Sequence, residues 1–477
     1  MTMLSRAALA GLPAGILRPG HDLAAIRTGI VHFGPGAFHR AHQAAFVDKV
    51  LDSDPRWGIA AVSLRSGSTT DALKAQDGLY TLAVIDRTPS TRIIAAHSDA
   101  IGPGEGARLR ALLASPEVRI ATSTVTEKGY CLGGDGILDM NHPDIVQDRA
   151  RPAEPASVIG WIVAGLADRR AAGEAPFAML CCDNMTGNGG KLRAACVALA
   201  REWDAGLADW IAAEVAFPDS MVDSITPASD AAFLAKVAGE LGVEDKAAVQ
   251  RESFTQWVLQ RFDMANGPDL AAAGVTLTSD VRGYEQAKLR ILNGSHSSLA
   301  YIGLMLGHET VFEAMSDAVL GGFVTRLAHQ DIAASLGPVD GLDVPGYVDA
   351  VLDRFRNPAI RHLLSQIAWD GSQKLPYRLL DTTAAALDAG RPVTRLAVPV
   401  AAWIAFLGAK ARAGEAITDP LAETLAAAAI AEAPVDAALA LRQVFPARVA
   451  EDARYRDAVA AAFAKIEAGD LRDLLAG

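Results

Sequence analysis

The sequence predicts an α/β domain followed by a mainly α-helical domain. Between about residues 28 and 230, short apolar runs rich in β-branched residues alternate with helical stretches, a pattern typical of βαβ units on a parallel sheet covered on both faces. After about residue 280 the strand signals largely vanish, and long Ala/Leu-rich helical patterns replace them. The chain of 477 residues is also too long for a single hydrophobic core. We therefore expect a first domain at residues 1–279 and a second at residues 280–477.

The clearest strand signals are four apolar runs in the first domain, each five to seven residues long. They are Gly29–Phe33, Gly58–Leu64, Arg119–Val125 and Phe177–Cys182. In the second domain, the apolar run Ala397–Ala409 falls short of the roughly 18 to 20 residues that cross a bilayer. It predicts a buried helix, and we expect no membrane association.

Charge and cysteine content exclude several classes of partner. The formal charge is 44 minus 56, or −12, and no basic patch or polybasic tail indicates nucleic-acid binding. The net negative charge repels anions, so a carboxylate substrate would need local cations. The four cysteines form no CxxC pair, which favours free thiols and a cytoplasmic protein. The sequence leaves open whether the chain is a monomer or a small homo-oligomer.

A glycine loop follows the first predicted strand directly. It is Gly34-Pro-Gly-Ala-Phe-His39, with a helical pattern from about Arg40. One glycine permits a sharp turn, a second lets the backbone approach a pyrophosphate, and a helix N-terminus then offers free N–H groups. The third glycine of the common fingerprint is replaced by His39, so an ordinary tight turn is the alternative. As a coenzyme site, the loop would bind through Gly34, Gly36, Ala37 and Phe38.

The end of the second strand leaves the choice of coenzyme open. An acidic residue there usually binds the ribose hydroxyls of NAD. This strand ends in Leu64-Arg65-Ser66-Gly67, with no acid before Asp71. Arg65 could instead face a 2′-phosphate, so we expect NAD without excluding NADP.

The most informative segment runs from Tyr284 to His296. On an α-helix, the four residues Glu285, Lys288, Asn293 and His296 fall within an arc of roughly 140°, which they share with apolar residues. An unpaired buried polar group costs about 1–3 kcal/mol, so four of them on an inward face indicate a cavity. Oxidation of a secondary alcohol needs a base for the O–H proton, and a partly desolvated lysine can serve. Asn293 could then stabilise the developing alkoxide.

Two known classes of dehydrogenase, the short-chain and the zinc-dependent enzymes, do not fit this sequence well. Tyr284 and Lys288 also form the Y-x-x-x-K pair of short-chain dehydrogenases, but that class uses one domain of about 250 residues and a TGxxxGxG turn, which are both missing. Zinc-dependent polyol dehydrogenases need a Cys/His/Glu ligand set for which no candidate spacing is evident. We therefore expect no metal.

Six motifs, in order between about residues 30 and 380, resemble the long-chain mannitol dehydrogenase family, which includes mannitol 2-dehydrogenases and mannonate oxidoreductases. The motifs are Gly34–Gln43, Thr124–Tyr130, Cys182–Gly189, Phe217–Asp223, Lys288–His296 and Asp370–Pro376. The resemblance implies a Rossmann-type N-terminal domain, a helical C-terminal domain and a site in the cleft between them.

The resemblance also implies roles for individual residues. Lys288 would be the general acid/base, Asn184 and Asn293 would polarise the substrate oxygen, and Glu285 would relay the proton. His296, Asp223 and Lys374 would contact the substrate chain. Asn184 has a reason of its own, because it lies just past a strand end, where open α/β sheets bind ligands. Its alternative role is a cap for the helix after Gly189.

Lys128 bears on the choice of substrate. It closely follows the end of a strand, and mannitol dehydrogenases tend to have glycine at this place, whereas mannonate oxidoreductases resemble the EKGYC sequence of this chain. A lysine suits a substrate carboxylate, and a solvated lysine or a pair with Glu127 is the alternative. We expect oxidation of an open-chain sugar acid, D-mannonate to D-fructuronate. The alternatives are a mannitol 2-dehydrogenase or arabinitol-type enzyme, and a non-catalytic sugar-acid or nucleotide sensor.

Overall fold

The computed structural model describes all 477 residues and divides into two compact units, Met1–Arg282 and Gly283–Gly477. All strands lie in the first unit, and the second is built of helices. The predicted fold class, a Rossmann-type α/β domain and a mainly α-helical domain, is therefore confirmed.

The first unit has eleven strands in three sheets. They are β1 (Thr28–Phe33), β2 (Gly58–Val62), β3 (Tyr80–Ile85), β4 (Ser90–Ile94), β5 (His97–Ile101), β6 (Ile120–Ser123), β7 (Ala178–Cys181), β8 (Ser220–Asp223), β9 (Val249–Glu252), β10 (Gln256–Gln260) and β11 (Thr276–Thr278).

The central sheet has five parallel strands in the order β5-β2-β1-β6-β7. Four of these strands, β1, β2, β6 and β7, coincide with the four predicted runs. Alternate residues pack on opposite faces, as Val31 and Ile30 do in separate buried clusters, so both faces are covered. The order reverses at β1, because β2 lies on one side of it and β6 on the other. In such sheets ligands bind where the chain reverses, at the carboxyl ends of the strands.

Two three-stranded sheets were not predicted from the sequence. One has the order β11-β10-β8 with an antiparallel β10–β8 pair, and the other has the order β4-β3-β9 with an antiparallel β3–β4 pair. Their strands are short and form by pairing between distant segments, so local alternation gives little signal for them.

Helices cover the sheets of the first unit. The α-helices are Ala37–Ala41, Gln43–Val50, Ser68–Ala75, Gly106–Ala114, Pro143–Ala150, Val158–Ala172, Asn188–Trp203, Ala205–Glu214 and Ala231–Leu241, and 3₁₀ turns span Arg6–Gly11, Pro55–Trp57 and Glu127–Tyr130.

The helical part of the chain begins with Val281–Ala287, which continues into a π-helical turn, Lys288–Asn293, and the α-helix Gly294–Met305. Two further π-helical turns are Leu327–Ile332 and Pro376–Leu380. The remaining helices are Val311–Ser316, Ala318–Arg326, Ala333–Ser335 (3₁₀), Val344–Phe355, Leu364–Ile367, Gly371–Leu375, Asp381–Asp388, Thr394–Ala413, Ala422–Ala429, Pro434–Leu439, Ala447–Ala450, Ala453–Glu467 and Leu471–Ala476.

The apolar run Ala397–Ala409 lies in Thr394–Ala413, a 20-residue helix that is longer than the sequence suggested. It is the one helix whose length and hydropathy would suit a membrane span, but 67% of its apolar window is buried inside the protein. This burial is typical of a core helix, as the sequence predicted.

Candidate active site

The glycine loop lies at the carboxyl end of β1, where the strand order reverses. Gly34 has φ of +85°, and a Cβ at this position would collide with the carbonyl oxygen of Thr124. Its N–H donates to Val62 O at 2.9 Å, which joins the loop to β2. Glycine at position 34 is therefore required by the protein's own backbone.

Gly36 has a different environment. The residue is exposed, and the only protein atom near a Cβ added at this position would be Gly34 O, at 3.9 Å. The helix Ala37–Ala41 starts directly after it, earlier than the predicted start near Arg40. No protein atom needs the space beside Gly36, so the bare backbone is open to a ligand such as a pyrophosphate.

His39, in the place of the third glycine, packs inward. Its ring stacks on His32 of β1 with centroids 3.4 Å apart, and its Nε2 lies 3.1 Å from His97 Nε2. Burial lowers the pKa of His32 and of His97 to about 3, and it lowers the pKa of His39 well below its usual value. All three rings are neutral at pH 7. Here the helix packs on the strand through stacked rings, whereas a third glycine would bring the two backbones close.

A groove runs along this edge of the central sheet. A cavity of about 260 Å³ is lined by Gly34, Arg65 and Lys128, among others, and an adjoining one of about 860 Å³ reaches the loop after β5. Arg65 and Asp144 line both cavities, and Arg65 Nη2 donates to Asp144 Oδ2 at 2.5 Å. β2 is not followed directly by an acidic residue, but the carboxylate of Asp144, from a different part of the chain, lies beside Arg65 there.

The loop after β6 is held in an unusual conformation beside this groove. Thr126 has φ 65° and ψ 159°, a region that residues with a side chain rarely adopt. The Asp183 carboxylate accepts the N–H groups of Val125 (2.9 Å) and Thr126 (3.1 Å) and the Tyr130 hydroxyl (2.6 Å). Lys128 lies in this loop and is exposed. Asp183 therefore joins the loop after β6 to the loop after β7.

Asn184 lies next to Asp183, past the end of β7, and is exposed. The alternative role as a helix cap belongs to other residues. Asp219 Oδ1 accepts the N–H of Gly189 at 2.8 Å and of Gly190 at 3.4 Å, in a helix that already begins at Asn188. Asp223 is the last residue of β8 and is buried.

In the second unit, Lys288 and Asn293 are the first and last residues of the π-helical turn. Glu285 and His296 are buried, and Lys288 and Asn293 are half-buried. On a regular α-helix, residues five apart differ by about 140° in direction. A π turn closes a ring between residues i and i+5 and brings such a pair towards one face. The predicted helix is present, but its geometry differs from the predicted α-helix.

His296 is 7% exposed, and its Nε2 has no hydrogen-bond partner within the protein. Its ring lies against Phe355 (4.5 Å between centroids) and His362 (5.0 Å), and His362 Nδ1 is also unpartnered. Burial, followed by the charges of nearby groups, lowers the pKa of His296 well below its usual value. A neutral ring with an unpaired nitrogen can bind a hydroxyl group.

Lys374 is half-buried on Gly371–Leu375, and burial followed by the charge of Arg378 lowers its pKa. The same arginine also contributes to the lowered pKa of His296. The five predicted residues of this unit thus lie on two segments, Val281–Met305 and Gly371–Leu375.

Comparison with known proteins identifies the family of the chain. A sequence model of the mannitol dehydrogenase Rossmann domain matches residues 28–271, and one of the mannitol dehydrogenase C-terminal domain matches residues 280–467. The chain belongs to the mannitol dehydrogenase family.

Two relatives and one solved structure illustrate the match. The chain is 38% identical over 465 residues to D-mannonate oxidoreductase of Escherichia coli, covering 94% of this chain and 96% of that one. It is 36% identical over 449 residues to mannitol 2-dehydrogenase of Phaeosphaeria nodorum, covering 92% and 79%. The structure of Pseudomonas fluorescens mannitol 2-dehydrogenase in complex with NAD and D-mannitol has a TM-score of 0.80 and 34% identity, covering 99% of both chains.

As a member of the mannitol dehydrogenase family, the chain is an oxidoreductase with a nicotinamide coenzyme. The residues present fit such a coenzyme. Gly34 lines the groove, which continues past the end of β2, and the backbone at Gly36, two residues further along the chain, is open. The sequence analysis predicts that Gly34, Gly36, Ala37 and Phe38 would hold its pyrophosphate, and this assignment stays a prediction.

One cluster of metal-ligand residue types was not predicted. A β-bridge between Leu132 and Leu138 turns the chain back, and donor atoms of Cys131, His142 and Asp144 lie within 4.8 Å of one another. Two of these three groups already have partners within the protein. Asp144 pairs with Arg65, His142 Nδ1 accepts the Asp144 N–H at 3.2 Å, and burial raises the pKa of Cys131 to about 12. Because Asp144 and His142 already have partners within the protein, these contacts favour a structural role for the cluster.

The sequence analysis missed Asp183, His362 and Arg378. Asp183 and Arg378 are inside or next to motifs that carry the family resemblance, and this proximity was the available signal. Their roles depend on contacts with loops and helices distant in sequence, which no local pattern reports.

Proposed function

We propose that this enzyme oxidises one secondary hydroxyl of an open-chain sugar acid, reversibly, and that the reaction is D-mannonate to D-fructuronate. The observation that carries the proposal is the turn Lys288–Asn293. It joins a half-buried amine, a half-buried amide and, one turn further, the unpaired nitrogen of His296 on one continuous helix.

In this proposal Lys288 is the general base of the oxidation. Its neutral amine takes the O–H proton of the substrate while the hydrogen on the same carbon departs as hydride. The nicotinamide supplies the hydride acceptor when it is bound. The side-chain amides of Asn184 and Asn293 donate to the substrate oxygen as negative charge develops on it. Glu285, buried one helical turn before Lys288, accepts the proton from the lysine.

Further polar side chains would bind the rest of the substrate. His296 Nε2 would bind a hydroxyl, because the ring is neutral and this nitrogen has no partner in the protein. Asp223 and Lys374 would bind further hydroxyls, and Lys128 would face the carboxylate. Identity of 38% with a mannonate oxidoreductase supports this choice. The relatives that act on mannitol support a neutral hexitol as the second candidate.

We propose NAD as the coenzyme. Arg65 is the cation that a 2′-phosphate would require, but its guanidinium is paired with Asp144 at 2.5 Å. The pair offsets the positive charge, and in this proposal the Asp144 carboxylate takes the part of the acid that binds the ribose hydroxyls of NAD. The four free buried thiols also support a location in the cytoplasm, where thiols stay reduced.

A substrate panel tests the proposal. Purified enzyme is assayed with mannonate, altronate, mannitol and arabinitol, each with NAD and with NADP, by absorbance of the reduced nicotinamide. We expect the highest kcat/KM for mannonate with NAD, and unchanged activity after EDTA treatment. A higher kcat/KM for mannitol would favour the second candidate. No turnover of any of the four would favour a sensor, and loss of activity with EDTA, restored by zinc, would contradict metal independence.

A further inference from the structure

We infer that Arg378 binds the substrate's carboxylate, as a second cation in addition to the proposed Lys128. The inference deepens the proposed function and rests on it. Arg378 lies just outside the last of the six family motifs, Asp370–Pro376, and the resemblance implies no role for it.

Arg378 is fixed beside the helix of the proposed catalytic groups. It lies in the π-helical turn Pro376–Leu380. Its carbonyl oxygen is so close to Gly294 that a Cβ there would lie 2.7 Å from it, which explains why glycine follows Asn293. Its Nη1 donates at 3.1 Å to Ser297 Oγ, and Ser297 is the fully buried neighbour of His296. The guanidinium position is thus tied to the same turn of helix as His296.

The guanidinium has no carboxylate partner. Other half-buried arginines of this unit donate to carboxylates or carbonyls, as Arg395 does to Asp331 (2.6 Å) and Arg326 to Leu475 O (2.7 Å). Arg378 donates only to one hydroxyl, although a guanidinium has five N–H donors. The guanidinium nitrogens of Arg378 that have no hydrogen-bond partner are not fully buried, so solvent or a ligand can contact them. They can form the bidentate contact that arginine makes with a carboxylate.

The surroundings of Arg378 favour an anion. It lies close enough to Lys374 and His296 for its charge to contribute to the lowered pKa of both. Asp370 and Asp419 raise the pKa of Lys374, but the Lys374 amine donates to Ile367 O and the Arg378 guanidinium to Ser297 Oγ rather than to either carboxylate. Asp419 instead accepts from Ser372 N (2.8 Å) and Leu421 N (2.9 Å). Two neighbouring cations without a paired acid are stabilised by a bound carboxylate, and a neutral polyol offers none.

The experiment compares Arg378→Gln with wild type on mannonate and on mannitol. A charged hydrogen bond is worth about 1.5–3 kcal/mol, so we expect kcat/KM for the acid to fall at least about 10-fold and that for the polyol to change less than about threefold. Calorimetry of mannonate binding in the presence of NADH should show the same loss. Arg378→Lys keeps a charge and should recover part of the affinity.

Arg290→Gln is the matched control. Arg290 is also half-buried and contacts a serine, donating to Ser335 O at 3.0 Å, and it lies on the helix of Lys288. Arg290→Gln should change kcat/KM for mannonate and for mannitol by the same factor. Equal losses on both substrates in Arg378→Gln would mean that Arg378 only supports Ser297, and would overturn the inference while leaving the proposed function intact. Wild-type enzyme that neither binds nor oxidises the acid would overturn both.

Discussion

Lys288 combines partial burial with a position at the first residue of a π turn. A lysine on an ordinary surface helix would extend into water, where its amine remains protonated at neutral pH. A general base must be neutral to accept a proton from an alcohol, so the amine needs surroundings other than bulk water. The proposed role of Lys288 as the base therefore depends on its surroundings and not on the residue type alone.

Replacing Lys288 with methionine keeps the length of the side chain and removes the base. Because general-base catalysis contributes about 10²–10⁴-fold, we expect kcat to fall by that factor. The dissociation constant of NADH, measured by fluorescence titration, should change less than about twofold. Lys465→Met, at an exposed position on Ala453–Glu467, is the control and should behave like wild type. A nearly normal kcat in Lys288→Met would exclude Lys288 as the base.

Asp144 pairs with Arg65, which lies 79 positions away in the chain, so its role depends on a residue that is distant in sequence. Asp144→Asn removes the negative charge and leaves the guanidinium available to a 2′-phosphate. We expect the ratio of kcat/KM for NADP to that for NAD to rise about tenfold or more, the scale of one charged hydrogen bond. The double variant Arg65→Gln/Asp144→Asn should lose this gain. A wild-type preference for NADP, or an unchanged ratio in Asp144→Asn, would show that the pair does not select the coenzyme.

At the scale of elements, two short segments differ from regular geometry, the glycine loop after β1 and the π turn Lys288–Asn293. The first turns a strand into a helix under a positive φ at Gly34. The second rotates Asn293 towards the face of Lys288. Such local departures from regular backbone geometry are concentrated at functional sites, because they direct backbone or side-chain groups at a ligand.

Gly36→Val separates ligand binding from folding in the glycine loop. No protein atom lies within 3.9 Å of the added Cβ, so the midpoint of thermal unfolding should change by no more than about 2 °C, as for an ordinary surface substitution. The side chain would occupy the space of the pyrophosphate, and we expect the dissociation constant of NADH to rise at least about tenfold. Gly190→Ala, which also has free space for its Cβ, is the control. Unchanged coenzyme affinity in Gly36→Val would exclude this loop as the binding site.

At the scale of the whole molecule, the stability of the first unit depends on buried histidines. His32 and His97 have a pKa of about 3 in the folded state, against about 6.5 when unfolded, and the pKa of His39 is also well below its usual value. Above pH 6.5 these rings are neutral in both states. As the pH falls from 6.5 towards 3, only the unfolded state binds the protons, so the folded state loses stability.

We therefore expect the free energy of unfolding to fall between pH 7 and pH 5. At pH values below the unfolded pKa of about 6.5, each of these histidines should lower it by up to about 1.4 kcal/mol per pH unit. His97→Gln should reduce the proton uptake on unfolding by about one, measured from denaturant curves at several pH values. Buried carboxylates with a raised pKa, such as Asp245, act in the opposite direction but are the same in both proteins. Equal slopes for wild type and His97→Gln would show that His97 does not contribute.

Local pattern was sufficient for the fold class, four strands of the parallel sheet, the glycine loop, the helix of Lys288 and a buried apolar helix at Ala397–Ala409. These features depend on the order of residues within a single segment, through alternation, periodicity and the turn properties of glycine. The family resemblance placed the remaining candidate residues, and their catalytic roles stay predictions.

Tertiary structure decided the features that depend on contacts between distant segments. Pairing of short strands produced the two small sheets, Asp183 joined two loops, and Asp144 came to lie beside Arg65. The π turn and the position of Arg378 next to Gly294 have the same origin, because each is set by packing between helices. Sequence periodicity describes one segment at a time, so it cannot report which partner a charged side chain finds.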